Sequence, residues 1–368
     1  MSCVAEAPSR AALGRPPAQV FAAGSPRVLV AGATGFAGAL AAYLLWRHPR
    51  LQLVGVTGRS EVGRRLDDLY PRYRVPLAIG ELDLDRYSEN PGPGAPDAGL
   101  DAAIVAYPHA AAAPTVGALR DLGVRVVDLS ADFRLSSQAT YEQWYGPHPR
   151  PDLLAQAVYG LTELHREQIA DAAIVANPGC YPTASVLGLA PLARAGLIAD
   201  VVIDAKQGIS GAGRAFDETT HLSFAGENIL PYKVAAHRHT PEIEQQLAEL
   251  DPALADLGVQ FQAHLVPLDQ GELASCYVTP TREVSASELR ELYTDAYADE
   301  PFVELVSAPP GTREVLATNY CRVFFAADGH TGKIVVLSAI DNLWKGTSSQ
   351  AIQNLNVMFG LPETEGLT

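Results

Sequence analysis

The chain has 368 residues, which is enough for two domains, and it carries a formal net charge of −15. No clustered basic surface is visible, so the composition argues against nucleic acid and favours small molecules or other subunits as partners. Four cysteines without metal or disulfide spacing, and no apolar run that could cross a membrane, predict a cytoplasmic protein with no membrane partner.

The first half alternates short apolar strands with helices. We interpret residues 1–26, rich in Ala and Pro, as a disordered tail; their prolines count against the alternative, an organellar transit peptide. From Arg27, "RVLVAGATGFAGALAAYLLWRHP" predicts a buried strand, a glycine turn and a helix to about Arg47. Further strands are predicted in "LQLVGVTGRS", "DAAIVAYP" and "VRVVDLSADFRL", and a surface loop at 90–99. This alternation predicts a doubly wound parallel sheet over 27–179.

The second half is richer in strands. "VQFQAHLVPL", "ELASCYVTP" and "TNYCRVFFAA" predict an α+β domain over 180–340 with a mostly antiparallel sheet. In the last segment Trp344, Ile352, Leu355 and Met358 have the spacing of one helical face, which predicts a C-terminal helix over 341–368. The fold class is therefore α/β, a Rossmann-type domain followed by an α+β domain.

The glycine turn between the first strand and the first helix is a candidate dinucleotide site. Its G-x-x-G-x-x-G spacing alone is a weak signal and would also suit a tight turn, but its position at a helix N-terminus favours binding of a pyrophosphate. The residues that we expect to contact the cofactor here are Gly32, Thr34, Gly35, Phe36 and Gly38.

The second strand indicates which dinucleotide is bound. It ends in "VTGRS", so Thr57, Arg59 and Ser60 occupy the place where NAD enzymes carry an acidic residue for the ribose, and the first acid is Glu61. NADP(H) is therefore the predicted cofactor. The alternatives are NAD, or an Arg59 that is only a solvated loop charge.

The stretch "NPGCYPTAS" places Cys180 between a strand and a helix. A cysteine at a helix N-terminus is stabilised as a thiolate by backbone amides and the helix dipole, which lowers the thiol pKa from about 8.5. We therefore predict Cys180 to be a nucleophile, and interpret Cys3, Cys276 and Cys321 as structural or incidental.

Two further motifs complete the candidate site. "AAHRHTPEIEQQL" contains His237 and His239 two residues apart, and a helix N-terminus beside them would favour the neutral imidazole that a general base requires. A metal site is the alternative for this pair, but no third ligand accompanies it, so no metal is predicted.

The other motif is the glycine-rich loop "KQGISGAGR" at 206–214, which predicts an anion site that uses Lys206, Ser210, Gly211 and Arg214. A flexible turn is the alternative interpretation of this loop. A thiol and a nicotinamide together indicate aldehyde or acyl-level chemistry through a thioester, and a phosphate bound at the anion site would make the acyl donor an acyl phosphate.

Six motifs in order, "GATGFAG", "DLSADFRL", "NPGCYPTA", "GISGAGR", "HRHTPEIEQ" and "IDNLWKGTSSQAIQNLN", resemble the N-acetyl-γ-glutamyl-phosphate reductase family, relatives of aspartate-semialdehyde dehydrogenase. The resemblance covers about residues 27–362 and implies NADPH-dependent reduction of N-acetyl-γ-glutamyl phosphate in arginine biosynthesis.

The resemblance also implies residue roles and assembly. Cys180 matches the family nucleophile, and the histidine motif falls on His237, His239 and Glu242, of which His237 is our first choice as acid/base. It further implies that Asn342 and Gly346 line the nicotinamide side, that the C-terminal helix completes the nucleotide domain, and that the second domain forms a homo-oligomer. The segment "AYPHA" at 106–110 departs from the family pattern, and so do the first 26 residues.

Three rival functions remain at this stage: a carrier-protein-linked aminoadipyl or glutamyl phosphate reductase, a cysteine acyl hydrolase or amidotransferase, and a non-catalytic NADP sensor. The cysteine and glycine-loop motifs count against the first, the glycine turn and Arg59 against the second, and the set Cys180, His237 and Arg214 against the third.

Overall fold

The structure is a computed structural model that describes residues 21–87 and 99–368. Two seven-stranded sheets organise these residues. The predicted loop at 90–99 lies almost wholly outside the described residues, as do residues 1–20 of the predicted tail. No helix in the described ranges is long and apolar enough to span a bilayer.

The first sheet is parallel at each of its strand pairs. Its strands are β1 (Arg27–Ala31), β2 (Gln52–Thr57), β3 (Ile79–Gly80), β4 (Ala102–Val105), β5 (Arg125–Asp128), β6 (Ala157–Tyr159) and β7 (Ile174–Ala176), and its helices are α1 (Phe36–Arg47), α2 (Leu66–Leu69), α3 (Ala113–Asp121), α4 (Gln138–Tyr145) and α5 (Thr162–Asp171). The strand order β3-β2-β1-β4-β5-β7-β6 confirms the predicted doubly wound sheet.

Helices cover both faces of this sheet. Successive side chains of each strand point to opposite faces, so each strand packs against helices on both sides. Val28 and Val30 of β1 pack in one apolar cluster with α1, whereas Leu29 and Ala31 pack in another with α3. Strands buried on both faces read as continuous apolar runs, which is why the sequence pattern identified them.

The second sheet is mixed and mostly antiparallel, as predicted. Its strands are β8 (Ile198–Gly208), β9 (Leu230–Tyr232), β10 (Gln260–Val266), β11 (Glu272–Pro280), β12 (Val303–Leu305), β13 (Cys321–Ala327) and β14 (Ile334–Ile340), with helices α6 (Cys180–Arg194), α7 (Leu222–Ala225), α8 (Thr240–Leu250) and α9 (Ala286–Tyr297). The order is β12-β13-β14-β11-β8-β10-β9, with parallel pairing only at β12–β13 and β8–β10. Side chains of α6, α8 and α9 join its core cluster, represented by Leu189, Ile243 and Leu289.

The C-terminal segment returns to the first sheet, but its helix is shorter than predicted. A π-helical turn (Trp344–Ser348) precedes α10 (Ser349–Met358), whose Ile352 and Leu355 join the same apolar cluster as α1. Lys345 fixes this turn, because its Nζ lies 2.5 Å from Glu163 Oε1 of α5 and both side chains are fully buried. The segment thereby carries the chain from β14 across to the nucleotide-binding side.

Candidate active site

The glycine turn brings three backbone segments into close contact. Gly32 has a φ of 98°, which favours glycine, and its N–H donates to Thr57 O at 2.9 Å. A Cβ on Gly32 would lie 2.7 Å from Ala106 O, and one on Gly38 would lie 2.2 Å from Gly32 O. The N-cap of α1, Gly35, has no side chain to cap the first amides of the helix. This geometry fits the pyrophosphate of a dinucleotide.

A cleft of about 950 Å³ opens beside this turn, between the two sheets. Of the predicted cofactor residues, the cleft is lined by Gly32, Thr34, Gly35, Phe36, Gly38, Arg59, Ser60 and Asn342, and Cys180 lines the same cleft. A nucleotide site and a candidate nucleophile therefore share one space.

Two predicted cofactor residues lie behind the cleft surface instead. Thr57 is buried and uses its carbonyl to accept the Gly32 and Ala33 amides, so it supports the turn. Gly346 packs behind the nucleophile, where an added Cβ would lie 2.8 Å from the Cβ of Cys180. Neither residue lines the cleft, and a direct contact of either one with the cofactor stays a prediction.

Arg59 lies at the rim of the cleft. Its guanidinium carbon is 4.7 Å from the ring centroid of Tyr107, and its Nη2 donates to Ala111 O at 3.3 Å. Tyr107 belongs to the segment "AYPHA" that departs from the family pattern. The departure therefore supplies the aromatic surface on which Arg59 is held.

Cys180 is the first residue of α6, as predicted, but its thiol environment differs from the prediction. Gln207 Nε2 donates to Cys180 Sγ at 2.8 Å. Burial, together with the nearby Glu272 carboxylate, raises the pKa of the Cys180 thiol well above its ordinary value. The predicted depression of this pKa is wrong, because burial and the neighbouring acid outweigh the hydrogen bonds from the Gln207 side chain and the Tyr181 backbone, which lower the pKa.

Glu242 anchors the turn in front of Cys180. Its Oε1 accepts the Gly179 N–H at 2.9 Å and the Tyr159 hydroxyl at 2.8 Å, and its Oε2 lies 3.4 Å from Arg134 Nη1. The residue is 1% exposed. Both oxygens are engaged in contacts that hold this turn, and Glu242 does not line the cleft, so its catalytic role stays a prediction.

The two histidines lie together, as their spacing predicts. Their ring centroids are 4.9 Å apart, and both rings contact Tyr181 edge-on. Burial lowers the pKa of His237 to about 2 and lowers that of His239 well below its ordinary value, so both rings are neutral. The prediction of neutral imidazole is confirmed, although burial rather than the helix end is its main cause.

The histidines differ in which ring atoms are free. His237 Nδ1 accepts the N–H of His239 at 3.1 Å. His239 Nε2 lies 2.6 Å from where a Cβ on Gly179 would stand, and its Nδ1 is buried without a hydrogen-bond partner. His239 therefore lies against the turn that holds Cys180, and its Nδ1 is not engaged in a hydrogen bond with the described residues.

The glycine-rich loop is only partly at the cleft. Ser210, Gly211 and Arg214 line the cleft, and Ser210 Oγ accepts from Asn342 Nδ2 at 3.0 Å. Lys206 pairs with Asp204 at 2.6 Å, on the face of β8 opposite Gln207. Lys206 does not line the cleft, and its role in substrate binding stays a prediction.

Arg214 extends from this loop across the cleft to the other domain. Its Nη1 donates to Thr34 O at 3.1 Å, and its Nη2 lies 3.2 Å from Glu61 Oε1. Sequence reasoning assigned Arg214 to the substrate, whereas its contacts are with the glycine turn and the loop after β2.

Three residues near the nucleophile were missed from the sequence: Gln207, Glu272 and Arg134. Strand alternation within "KQG" could have separated Gln207 from Lys206. Glu272 is the only acid in the apolar stretch "ELASCYV", which is a weak signal. Arg134 donates its Nε to Asn177 O at 2.8 Å, a pairing that only the folded chain shows.

Comparison with known families gives two adjoining matches. Residues 27–172 match the family described as semialdehyde dehydrogenase, NAD binding domain, and residues 180–342 match semialdehyde dehydrogenase, dimerisation domain. The chain is 48% identical to N-acetyl-gamma-glutamyl-phosphate reductase of Desulforudis audaxviator (strain MP104C), over 93% of this chain and 97% of the relative. It is 46% identical to the reductase of the same name from Moorella thermoacetica (strain ATCC 39073 / JCM 9320), over 92% and 96%.

Solved structures with the same fold are more distant in sequence. Aspartate semialdehyde dehydrogenase II from Vibrio cholerae, complexed with ASA, superposes with a TM-score of 0.69 at 17% identity, covering 91% of this chain and 98% of its own. Aspartate semialdehyde dehydrogenase with NADP from Candida albicans gives a TM-score of 0.63 at 14% identity, over 91% and 98%. These likenesses confirm the fold.

Proposed function

The chain belongs to the N-acetyl-γ-glutamyl-phosphate reductase family, and from that premise we propose how its site reduces N-acetyl-γ-glutamyl phosphate to N-acetylglutamate 5-semialdehyde. The observation that carries the proposal is that Cys180 and the glycine turn line the same cleft. The enzyme is an oxidoreductase of arginine biosynthesis.

Cys180 is the nucleophile in this proposal. Its sulfur attacks the acyl carbon, the bond between that carbon and the phosphate oxygen breaks, and phosphate leaves a thioester on Cys180. When bound, NADPH supplies the hydride that reduces this thioester. The carbon–sulfur bond then breaks, which releases the semialdehyde and returns the thiolate. Gln207, by donating to Sγ, holds the sulfur in one orientation throughout.

We assign the acid/base role to His239 rather than His237. His239 lies against the Gly179–Cys180 turn and its Nδ1 carries no hydrogen bond from the described residues, whereas Nδ1 of His237 accepts a backbone amide. The anionic substrate brings negative charge to this neutral ring and so favours its protonation. His239 then takes the thiol proton and passes it to the departing phosphate.

NADP is the proposed cofactor because of what surrounds the end of β2. Arg59 and Ser60 line the cleft there, and the nearby acid, Glu61, is paired with Arg64 and Arg214. A paired Glu61 repels a 2′-phosphate less than a free one would, and Arg59 supplies the charge that the phosphate requires.

We also propose the assembly and location of the enzyme. Residues 27–179 with 341–368 form the nucleotide domain and residues 180–340 form the catalytic domain, supported by the packing of α10 on the first sheet. The match of residues 180–342 to a dimerisation domain supports a homo-oligomer formed through the second domain. A cytoplasmic location is consistent with the acidic composition.

One assay tests the activity and the nucleophile together. N-acetylglutamate semialdehyde, phosphate and NADP are supplied, and NADPH is followed by absorbance for the native enzyme, Cys180→Ser and Cys276→Ser. Cys276 is fully buried in β11, so its variant is the matched control. We expect phosphate-dependent NADPH that Cys180→Ser abolishes and Cys276→Ser retains. Absence of phosphate dependence would contradict the activity, and an active Cys180→Ser would contradict the nucleophile.

A further inference from the structure

Glu272 stands directly behind the nucleophile because of strand pairing. In the antiparallel pair of β8 and β11, Gln207 lies opposite Glu272, and opposite residues of such a pair project to the same face. Gln207 Nε2 lies 2.8 Å from Cys180 Sγ and 3.0 Å from Glu272 Oε2. One carboxamide therefore links the thiol to the carboxyl group.

The carboxyl group of Glu272 is unusual in its surroundings. It is 0% exposed, and its Oε1 has no hydrogen-bond partner among the residues that the structure describes. The ionisable groups that act on it are Cys180 from α6 and Asp341 from the end of β14, and neither is a cation. Because neither group offsets a buried negative charge, and the hydrogen bond from Gln207 is neutral, the neutral acid is the favoured form at neutral pH.

We propose that Glu272 is a positioning residue that controls the protonation of the nucleophile. As a neutral acid it holds Gln207 and the Cys180 thiol in place, and as an anion it opposes formation of the thiolate. The proposal rests on the proposed function in taking Cys180 as the reacting thiol. It adds a role for a residue outside the cleft lining.

The sign of the effect follows from the charges. Burial raises the pKa of Glu272 to about 8, so the carboxyl is mostly protonated at pH 7 and can donate a hydrogen bond to a thiolate. Above about pH 8 the carboxylate forms and its charge raises the pKa of Cys180. Burial raises the pKa values of Tyr181 and Tyr232 near the thiol and lowers the pKa of His239 beside its turn, so all three groups stay neutral across this range. The alkylation rate of Cys180 should therefore rise less steeply above pH 8 than the rate of a thiol with no neighbouring acid.

The test is the rate of alkylation of Cys180 by iodoacetamide from pH 6 to pH 10, measured on the full-length protein. Glu272→Gln keeps the shape of the side chain and removes its charge, and Glu283→Gln, at an exposed position, is the matched control. Cys180→Ser gives the background from the other cysteines. We expect Glu272→Gln to react like the native protein at pH 6.5 and about tenfold faster at pH 9, since one pKa unit is a tenfold change in thiolate. Equal rates at every pH, or a slower variant at pH 9, would overturn the proposal.

The native profile provides a second readout if the variant fails to fold, as judged by thermal unfolding. Two coupled ionisations give a curve that bends near pH 8 and flattens above it, and a single-ionisation curve would overturn the proposal. Failure of the proposed function is distinguishable, because it would appear as turnover by Cys180→Ser and would leave the alkylation profile unchanged.

Discussion

Removing the Glu242 side chain should destabilise the protein and also displace its nucleophile. Glu242→Ala leaves the Arg134 guanidinium, whose side chain is 9% exposed, without its counter-ion, and it removes the acceptor of the Gly179 N–H and the Tyr159 hydroxyl. Breaking a buried ion pair from one side costs about 3–5 kcal/mol. The Arg134–Glu242 separation of 3.4 Å is long for a hydrogen-bonded pair, so we expect the lower end of that range, about 3 kcal/mol.

The loss is measured by urea unfolding followed by circular dichroism, with alkylation of Cys180 as a local probe. Glu242→Gln keeps one acceptor oxygen and should lose about 1–2 kcal/mol. Glu249→Ala, on the same helix, is the control: it removes only partly exposed contacts with His165 and Gln246 and should lose less than about 1 kcal/mol. If Glu242→Ala has the same free energy of unfolding as the control but loses turnover, Glu242 acts in the chemistry and the positioning role is wrong.

Three further predictions concern the cofactor and the histidines. Gly38→Ala places a Cβ 2.2 Å from Gly32 O, so the dissociation constant for NADPH, measured by fluorescence titration, should rise at least about tenfold. Gly258→Ala has open space around its Cβ and should bind NADPH like the native protein. Unchanged binding by Gly38→Ala would disprove the role of the turn. His239→Asn should lower kcat on the order of 100-fold and His237→Asn less, and the reverse order in steady-state kinetics would return the acid/base role to His237. Arg59→Ala should raise KM for NADPH about tenfold and leave KM for NADH unchanged; a parallel rise in both would show that Arg59 does not read the 2′-phosphate.

The features predicted correctly from sequence are local ones. Gly32, Gly35 and Gly38 reveal a turn because backbone approach within a few residues demands glycine there. Cys180 was placed at a helix N-terminus by the strand, Asn-Pro-Gly turn and apolar helix around it, and α6 begins at that residue. Each of these signals is contained in a stretch of about ten residues.

The properties that the sequence did not reveal depend on partners far along the chain. The charge of Lys206 suggested the substrate site, but the folded chain places Gln207 beside the nucleophile and opposite Glu272 of β11. The thiol pKa was predicted from the helix alone, whereas burial, together with Glu272, 92 positions later in the numbering, raises it.

The sequence by itself determined the fold class, a parallel-sheet domain followed by a mostly antiparallel one, the dinucleotide turn, and the cysteine at a helix N-terminus. These depend on periodicity and backbone sterics, which act between neighbours in the chain. Only the tertiary structure decided the protonation of Cys180, the anchoring by Glu242 and the contact of Arg214 across the cleft. Burial and charge pairing set these properties, and both arise when distant segments exclude water together.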